Sequence, residues 1–434
     1  METLEVWLRR QYQHAAGAML ASVSPCGTIK TRAVFNQTIR PVKGSIVASP
    51  ILGAYDPDPD YFFHWFRDSA VVIDAMRVLY ADASVLPGLL APVADFVSFS
   101  LALQRLDGRA IIADAGRRDH IAPAYTQYLR TDDELGSIHG ERVAGDTRVN
   151  PDGSLDIQKW ARPQHDGPAL RALAMLRWMR AAAFEDSVAA DTAALVQSDL
   201  GYVLRHSLEA SFDIWEEEPG LHYYTLCVSA ATLENGASWL HERGDHAMSH
   251  ACRAHAELLL AKLDDYWLEK EGFYRSRAPR PDGNADKALD IAVILAAVHG
   301  ARKARTHSVH DTRMLATLAR LDELFGAEYA INRGRPADRG PALGRYAGDK
   351  YYSGGAYYFS TLGAAEFCYR AGLLARGDAY LKTVQAYTPQ NGDLSEQFDQ
   401  NTGLPASARQ LAWSYAAFIT CIAARRALNP PVAA

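Results

Sequence analysis

Apolar residues recur at helical spacing along most of the chain. Leu4, Leu8, Tyr12 and Ala16 lie four residues apart, which predicts an amphipathic helix over about the first 20 residues. From Asp68 onward, segments with similar spacing follow one another with few breaks. Helices are therefore expected to dominate the fold.

Two stretches before residue 50 have a different pattern. Residues 28–36 and 45–48 alternate polar with apolar positions or run in β-branched residues, which predicts short strands near the N-terminus. Residues 50–60 are crowded with Pro, Asp and Gly, which is typical of a loop.

The later helical segments begin with recognisable signals. Asp68 and Asp166 are expected to be acidic N-caps, and Pro168 lies in a first turn, where proline costs little. Many of these segments are rich in Ala and Leu on more than one face, as helices buried on two sides are. This predicts an all-α fold with two layers of helices. The segments are 68–80, 166–184, 192–212, 224–244, 246–267, 286–302, 311–325, 355–376 and 408–428.

Long polar segments that carry aromatic residues separate the helices. Loops of this length inside a compact domain are usually functional. No Gly/Ser-rich linker or abrupt change of composition divides the chain, so we expect residues 1–434 to form one domain. The four segments are 107–166, 213–222, 331–350 and 387–406.

The charge balance argues against nucleic acid as a partner. The chain has 45 Lys and Arg against 51 Asp and Glu, a net charge of −6, and the two signs are interleaved. This pattern leaves no basic patch to neutralise phosphates. A neutral or mildly polar substrate fits the composition better.

The five cysteines indicate reduced thiols rather than a disulfide framework or a zinc site. None forms a C-x-x-C pair, and Cys227, Cys252, Cys368 and Cys421 lie in apolar, helix-like segments.

No stretch reaches the roughly 20 apolar residues of a membrane span. The N-terminal residues do not resemble a signal peptide. We expect a cytoplasmic protein as the sequence stands, or a periplasmic or secreted one if a leader was removed.

Two loop segments carry groups that suit carbohydrate chemistry. Sugar rings bind flat aromatic surfaces and groups that hold their hydroxyls, and hydrolysis of a glycosidic bond takes two carboxyls. Residues 61–68 hold five aromatic residues followed by Arg67 and Asp68, and residues 160–168 begin with Trp160 before a proline-stiffened turn. The alternative is that both segments have structural roles. In residues 61–68 the aromatic residues would belong to the core and Asp68 would cap a helix, and residues 160–168 would form a rigid turn.

Two further segments supply candidate carboxyls. Residues 213–220 contain Trp215 and three consecutive glutamates, and residues 391–399 present Ser-Glu-Gln after an Asn-Gly turn. Taken singly, each is typical of a solvated surface loop. Together with the aromatic segments they indicate a carbohydrate site.

At these same residues the chain resembles glycoside hydrolase family fifteen, the glucoamylases. Residues 48–72 are similar to the family segment that ends Trp-x-Arg-Asp-Ser-Ala, and residues 149–175 to its Trp-x-Arg-Pro-Gln-x-Asp-Gly-Pro-Ala-Leu-Arg segment. Residues 213–228 resemble its acid loop, and 343–362 and 392–418 its last two site segments. The matches run in order over nearly the whole chain.

The resemblance implies an (α/α)6 barrel that removes β-glucose, with inversion, from the non-reducing ends of α-glucans or malto-oligosaccharides. Glu216 matches the general acid and Glu396 the general base. No metal or other cofactor is implied, and no separate carbohydrate-binding module is expected. Tyr61, Trp65, Trp160 and Trp215 match pocket aromatics, Arg67, Asp68 and Arg345 match groups that bind sugar hydroxyls, and Glu217 matches an acid that binds the leaving-side sugar.

Two departures from the family pattern affect substrate preference. Tyr357 stands where many glucoamylases have tryptophan, and His165 replaces a common arginine. Both were expected near outer sugars. The alternatives are therefore a hydrolase specific for α-1,6 links in isomaltose or dextran, a trehalase of the same family, and a sugar-binding protein without catalysis. Both glutamates are present, which argues against the last of these.

Overall fold

The computed structural model describes residues 2–53, 58–82, 88–279, 287–303 and 306–429. In this part of the chain helices predominate, joined by long loops. In chain order the helices are α1 (Leu4–Leu20), α2 (Phe66–Ala81), α3 (Leu90–Leu103), α4 (Gly108–Ala113), α5 (Asp132–Gly136), α6 (Asp166–Ala181), α7 (Asp186–His206), α8 (Tyr223–Glu242), α9 (His246–Asp264), α10 (Ala292–Gly300), α11 (Thr312–Glu328), α12 (Tyr358–Arg370), α13 (Leu374–Tyr387) and α14 (Ala412–Leu428).

Six helices close into an inner ring. Helix α2 packs on α6, α6 on α8, α8 on α10, α10 on α12, α12 on α14, and α14 returns to α2. Outer helices cover this ring: α7 packs on α6, α9 on α8, α11 on α10, α13 on α12 and α1 on α14, while α3 packs on α7. The predicted all-α fold, an (α/α)6 barrel, is confirmed.

The inner helices are buried on nearly every face, as their Ala- and Leu-rich composition predicts. In α10, each residue from Ala292 to Val298 is buried, and α12 is buried from Tyr358 to Tyr369. A glycine allows these two helices to approach closely, because a Cβ on Gly363 would lie 2.4 Å from a methyl carbon of Leu295. The double layer follows from helices that have no polar face to expose.

Short antiparallel strands support the loops around the barrel. Besides the short strands predicted near the N-terminus, others recur along the described chain, and two of these lead directly into inner helices. The pairs are β1 (Lys30–Arg32) with β2 (Gln37–Ile39), β3 (His64–Trp65) with β4 (Arg148–Val149), β5 (Ser211–Phe212) with β6 (Pro219–Gly220), β7 (Trp267–Leu268) with β8 (Phe273–Tyr274), and β10 (Gln397–Phe398) with both β9 (Ala356–Tyr357) and β11 (Pro405–Ala406).

The two stretches predicted as strands form less sheet than expected. Of residues 28–36 only 30–32 form a strand, since residues 33–35 turn into a 3₁₀ helix and Asn36 has a φ of 51°. Residues 45–48 are fully buried, but only Ile46 forms a bridge, to Val23. The predicted loop at 50–60 lies partly outside the described residues.

Several predicted helix boundaries are also corrected. Neither Asp68 nor Asp166 is an N-cap, because α2 already starts at Phe66 and His165 occupies the N-cap of α6. The predicted helix at 355–376 is two helices, since the chain turns at Gly372, where φ is 83°. Helix α10 begins at Ala292 rather than at residue 286, which is outside the described range. Helices α3 and α13 were missed.

The cysteine prediction is confirmed. All five cysteines are free, and the four in helices, Cys227, Cys252, Cys368 and Cys421, are buried. Burial raises the pKa of the Cys227 thiol to about 12, so it stays protonated at neutral pH.

Over the described ranges, the helices include none with the length and apolar character of a membrane span.

Candidate active site

One cavity at an end of the barrel brings together all ten residues that the sequence singled out. It has a volume of about 270 Å³, and its wall includes the starts of α2, α12 and α14 with the loops between them. The ten are Tyr61, Trp65, Arg67, Asp68, Trp160, Trp215, Glu216, Glu217, Arg345 and Glu396. The structure adds Ala48, Ile214, Tyr351, Tyr357, Phe359, Leu411 and Trp413.

Stacked rings form the floor of the cavity. Phe359 and Trp413 lie parallel, with ring centroids 4.3 Å apart and planes at 6°, and Trp215 also stacks on Phe359, at 6.0 Å. The same two floor rings, Phe359 and Trp413, also line a small cavity inside the barrel. They therefore separate the active-site cavity from the barrel interior, and the cavity has a closed end.

Trp160 forms the outer wall and is 40% exposed. Its ring covers the guanidinium of Arg148, which lies 3.6 Å from the ring centroid, while Phe63 contacts the other side of that guanidinium at 4.0 Å. Arg148 is itself buried and donates to Asp156 at 2.9 Å. Such cation–π contacts, strongest when desolvated, fix the orientation of the exposed indole.

A tight turn presents Glu216. The carbonyl of Asp213 accepts from the Glu216 amide at 3.0 Å, and Asp213 Oδ1 accepts from the Glu217 amide at 2.8 Å. Glu216 has a φ of 66°, a conformation uncommon for residues other than glycine and often found at functional sites. Its carboxyl accepts from Arg67 Nη2 at 2.8 Å and from the indole Nε1 of Trp160.

Different donors hold Glu396. Ser407 donates its hydroxyl to Oε2, and the Tyr61 hydroxyl, 2.6 Å from that of Tyr351, lies 3.3 Å from Oε1. Burial raises the pKa of Glu396 to about 7, although the Ser407 hydrogen bond and the charge of Arg345 act in the opposite direction. Near neutral pH, Glu396 can therefore both take up and release a proton.

Arg67 and Asp68 form a buried pair at the start of α2. Their closest charged atoms are 3.2 Å apart, and burial raises the pKa of Asp68 to about 6 against the lowering effect of Arg67. Arg67 Nε and Nη1 and the indole Nε1 of Trp413 are buried and have no hydrogen-bond partner among the described residues. Unsatisfied buried donors are costly, and a ligand with several hydroxyl oxygens would satisfy them.

A second charged cluster surrounds Glu217. Arg345 donates to Glu217 Oε1 at 2.8 Å and to both oxygens of Asp349 at 2.6 Å, while Tyr346 donates to Glu217 Oε2 at 2.5 Å. Lys287 also contacts Oε2. Burial acts to raise the pKa of Glu217, but the charge of Arg345 and these hydrogen bonds outweigh it and lower the pKa. Glu217 is therefore held as an anion next to the cavity.

Several residues of the site carried no signal that sequence reasoning used. Ser407 contacts Glu396 directly, and Asp290 accepts from the indole of Trp215 at 2.8 Å. Burial raises the pKa of Asp290 to about 7. Phe359 and Trp413 lie in helices read only as core. A ring or carboxyl inside a helical segment gives no sign in the sequence that it faces a cavity.

The two departures from the family pattern lie in different places. Tyr357 is on the wall of the active-site cavity, where it is 1% exposed and accepts from Gln397 at 2.8 Å. His165 does not line this cavity but a neighbouring one. The expectation that both residues lie near outer sugars stays a prediction. Within the described residues, no three His, Cys, Asp or Glu groups come together as a metal-binding cluster.

The geometry agrees with comparisons to known proteins. The model of the family described as glycosyl hydrolases family 15 matches residues 147–378 and 373–423. The chain belongs to this family. It is a glycoside hydrolase of the glucoamylase type, from a family that acts with inversion, and its substrate is an α-glucan.

Curated relatives cover almost all of the chain at modest identity. Glucoamylase 1 of Rhizopus oryzae is 25% identical over 96% of this chain and 70% of its own length. The probable glucoamylase of Schizosaccharomyces pombe is 26% identical, over 99% of this chain and 94% of its own. Glucoamylase-1 of Arthroderma benhamiae is 28% identical, and this chain spans only 65% of its length.

Solved structures show the same fold. The family 15 glucoamylase from Hypocrea jecorina superposes with a TM-score of 0.79 at 25% identity, covering 99% of this chain and 73% of that one. The glucoamylase from Saccharomycopsis fibuligera gives a TM-score of 0.80 at 21% identity, covering 99% and 96% of the two chains. At that identity the second likeness concerns the fold alone.

Proposed function

We propose that Glu216 is the general acid and Glu396 the general base of an inverting, exo-acting hydrolase of α-1,4-linked glucose chains. The observation that carries this proposal is that the two carboxyls line one closed-ended cavity but are held by different partners. Glu216 is held by Arg67 and Trp160, and Glu396 by Ser407 and Tyr61. Two carboxyls in unlike surroundings can take unlike roles.

The proposed reaction is a single displacement. Glu396 takes a proton from a water molecule, whose oxygen then forms the new bond to the anomeric carbon. The bond from that carbon to the glycosidic oxygen breaks, and Glu216 gives its proton to the departing oxygen. An inverting enzyme needs about 6.5–9.5 Å between the two carboxyls so that the water fits between them. Released glucose is therefore the β-anomer.

The closed floor supports attack at a chain end. Since Phe359 and Trp413 block the cavity, a glucan cannot pass through it, and only a terminal glucose reaches the catalytic carboxyls. The unsatisfied donors of Arg67 would hold the hydroxyls of that glucose. Glu217 and Arg345 lie beside the cavity, where we assign them to the next sugar.

The linkage is tested by assaying glucose release from maltose, isomaltose and trehalose side by side, with the anomer of the first product read by NMR. We expect maltose to be hydrolysed at least 10-fold faster than the other two, with β-glucose formed first. Faster release from isomaltose or trehalose would overturn the linkage assignment. α-Glucose as the first product would overturn the mechanism.

A further inference from the structure

Three buried carboxyls share one guanidinium at the start of α2. Arg67 Nη2 donates to Glu216 at 2.8 Å and lies 3.2 Å from Asp68, while Arg67 Nη1 lies 3.8 Å from Oδ2 of Asp166. Asp166 differs from the other two carboxyls because it does not line the active-site cavity. It is 1% exposed, and no side chain among the described residues donates to either of its oxygens. The catalytic assignments above leave it without a role.

A close contact between two inner helices brings Asp166 to this place. Asp166 is the first residue of α6, and α6 packs beside α2. Gly167 allows the contact, because a Cβ at this position would lie 2.7 Å from Cβ of Phe66 and 3.4 Å from the amide nitrogen of Arg67. The N-terminal end of a helix carries partial positive charge and stabilises a carboxylate there. The fold therefore places an acidic side chain next to Arg67, outside the cavity.

Both aspartates of this cluster are ionised at neutral pH. Burial raises the pKa of Asp166 to about 6, although the charge of Arg67 acts in the opposite direction, and the same two effects apply to Asp68. Within the described residues, Arg67 is the one cation within ion-pair distance of Asp166. One positive charge is therefore shared among three carboxyls.

The neutral groups that face Asp166 from α8 and α10 do not change this balance. The Tyr224 hydroxyl is 2.6 Å from Nδ1 of His299, and burial raises the pKa of this tyrosine well above its usual value. Burial also lowers the pKa of His299 to about 3, so its ring is uncharged at neutral pH. Neither group supplies a charge that would offset Asp166.

The other groups near Glu216 leave the balance unchanged as well. Burial raises the pKa of the Tyr61 hydroxyl well above its usual value, so this hydroxyl is uncharged. Two charged pairs also lie near Glu216, Arg148 with Asp156 at 2.9 Å and Glu217 with Arg345 at 2.8 Å. Within each pair the charges offset one another.

An arginine beside a general acid presents an electrostatic problem. A positive charge favours the ionised form of a carboxyl, whereas Glu216 must hold a proton until the glycosidic oxygen departs. Ionised Asp68 offsets the charge of Arg67, and ionised Asp166 makes the surroundings of Glu216 negative. Like charges repel, so a further negative charge on Glu216 becomes more costly.

We propose that Asp166 is a positioning residue for catalysis, which acts through Arg67 so that Glu216 keeps its proton until the glycosidic bond breaks. The inference rests on the proposed function, because it needs Glu216 to be the general acid. With Asp166 present, Arg67 can orient the acid by a hydrogen bond without causing it to ionise.

The first test is the pH profile of kcat/KM for maltose, whose basic limb reports loss of the proton from the general acid. Asp166→Asn removes the charge but keeps the shape of the side chain, and the limb should move to lower pH by at least about 0.5 unit. Asp166→Ser, whose side chain suits a helix start, should move it in the same direction. A limb that stays in place in both variants, or moves to higher pH, overturns the proposal.

A matched control removes a carboxylate from the outer layer of helices. Asp322 in α11 is paired with Arg376 at 2.8 Å. Asp322→Asn therefore breaks an ion pair between helices but leaves the charges around Glu216 as they are. The basic limb of this variant should coincide with that of the unmodified enzyme.

The second test compares two leaving groups. Fluoride departs with little help from an acid, so hydrolysis of α-glucosyl fluoride does not need the proton on Glu216. At pH 8, kcat/KM of Asp166→Asn should fall at least about 3-fold more for maltose than for the fluoride, the factor that corresponds to a shift of about 0.5 pH unit. Equal losses would show that Asp166 only supports the structure of the site, and would overturn the proposal. Failure of the proposed function looks different, because the unmodified enzyme would then show the same basic limb with both substrates.

Discussion

Ser407 donates its hydroxyl hydrogen to Oε2 of Glu396, a carboxyl whose pKa burial raises to about 7. The β10–β11 hairpin creates this contact. Gln397 pairs with Ala406, so the residues just outside the pair, Glu396 and Ser407, lie next to each other. Because a hydroxyl that donates to a carboxylate stabilises the ionised form, Ser407 keeps the pKa of Glu396 lower than burial alone would.

Replacing Ser407 should therefore shift the acid limb of the pH profile of kcat/KM. The general base must be ionised, so kcat/KM should fall as the pH drops below about 7, the value to which burial raises the pKa of Glu396. In Ser407→Ala the lowering hydrogen bond is lost, and this limb should move to higher pH. The measurement is kcat/KM for maltose between pH 4 and 9. Ser249→Ala, which removes a buried hydroxyl from α9, is the control and should leave the limb in place.

Glu396 should cost the enzyme stability at high pH. Its pKa is about 7 in the folded protein against 4.5 for an unperturbed glutamate, so between these pH values the folded state holds a proton that the unfolded state has lost. The stability is fully present below about pH 4.5 and is lost as the pH rises through about 7. By the size of the shift, the loss is about 3 kcal/mol.

Glu396→Gln cannot ionise and should keep that stability. At pH 8 we expect the variant to unfold at a higher denaturant concentration than the unmodified protein, and at pH 4 the two should coincide. Urea unfolding at the two pH values makes the comparison. A variant that is less stable than the unmodified protein at pH 8 would contradict the raised pKa of Glu396.

Part of the site was predictable from local signals in the sequence, whereas Arg345 and the roles of all ten residues were implied by the family resemblance. Trp65, Arg67 and Asp68 lie close together in the sequence, as do Trp215, Glu216 and Glu217, and the combination of these segments, rather than any one of them, indicates a carbohydrate site. Two layers of helices were predictable from Ala- and Leu-rich segments without a polar face.

The residues that sequence reasoning missed depend on contacts between distant segments. Asp290 meets Trp215 across 75 positions, and nothing near Asp290 in the sequence indicates an indole. Trp413 reaches the floor because α14 packs beside α12, and the N-cap of α6 is His165 rather than Asp166. Packing between elements, which no single segment encodes, decided these positions.

The indole N–H of Trp160 should be needed to orient the acid. Trp160→Phe keeps an aromatic wall over Arg148 but removes the donor to Glu216. Glu216 becomes a carboxylate as it gives up its proton, and a hydrogen bond to a charged group is worth about 1.5–3 kcal/mol, so kcat for maltose should fall by about 10-fold or more while KM changes less. Steady-state kinetics separates the two parameters. An unchanged kcat would show that Arg67 alone positions Glu216.

The leaving group distinguishes the two catalytic carboxyls. A fluoride leaving group needs little help from an acid, whereas a sugar oxygen must be protonated as it departs. Glu216→Gln should lose maltose hydrolysis by about 10²–10⁴-fold but retain most of its activity on α-glucosyl fluoride. Glu396→Gln should lose both activities, because a water molecule must be deprotonated in either case. Glucose release and fluoride release are measured on the same preparations. If the two variants respond alike to the change of substrate, the separate roles of Glu216 and Glu396 are wrong.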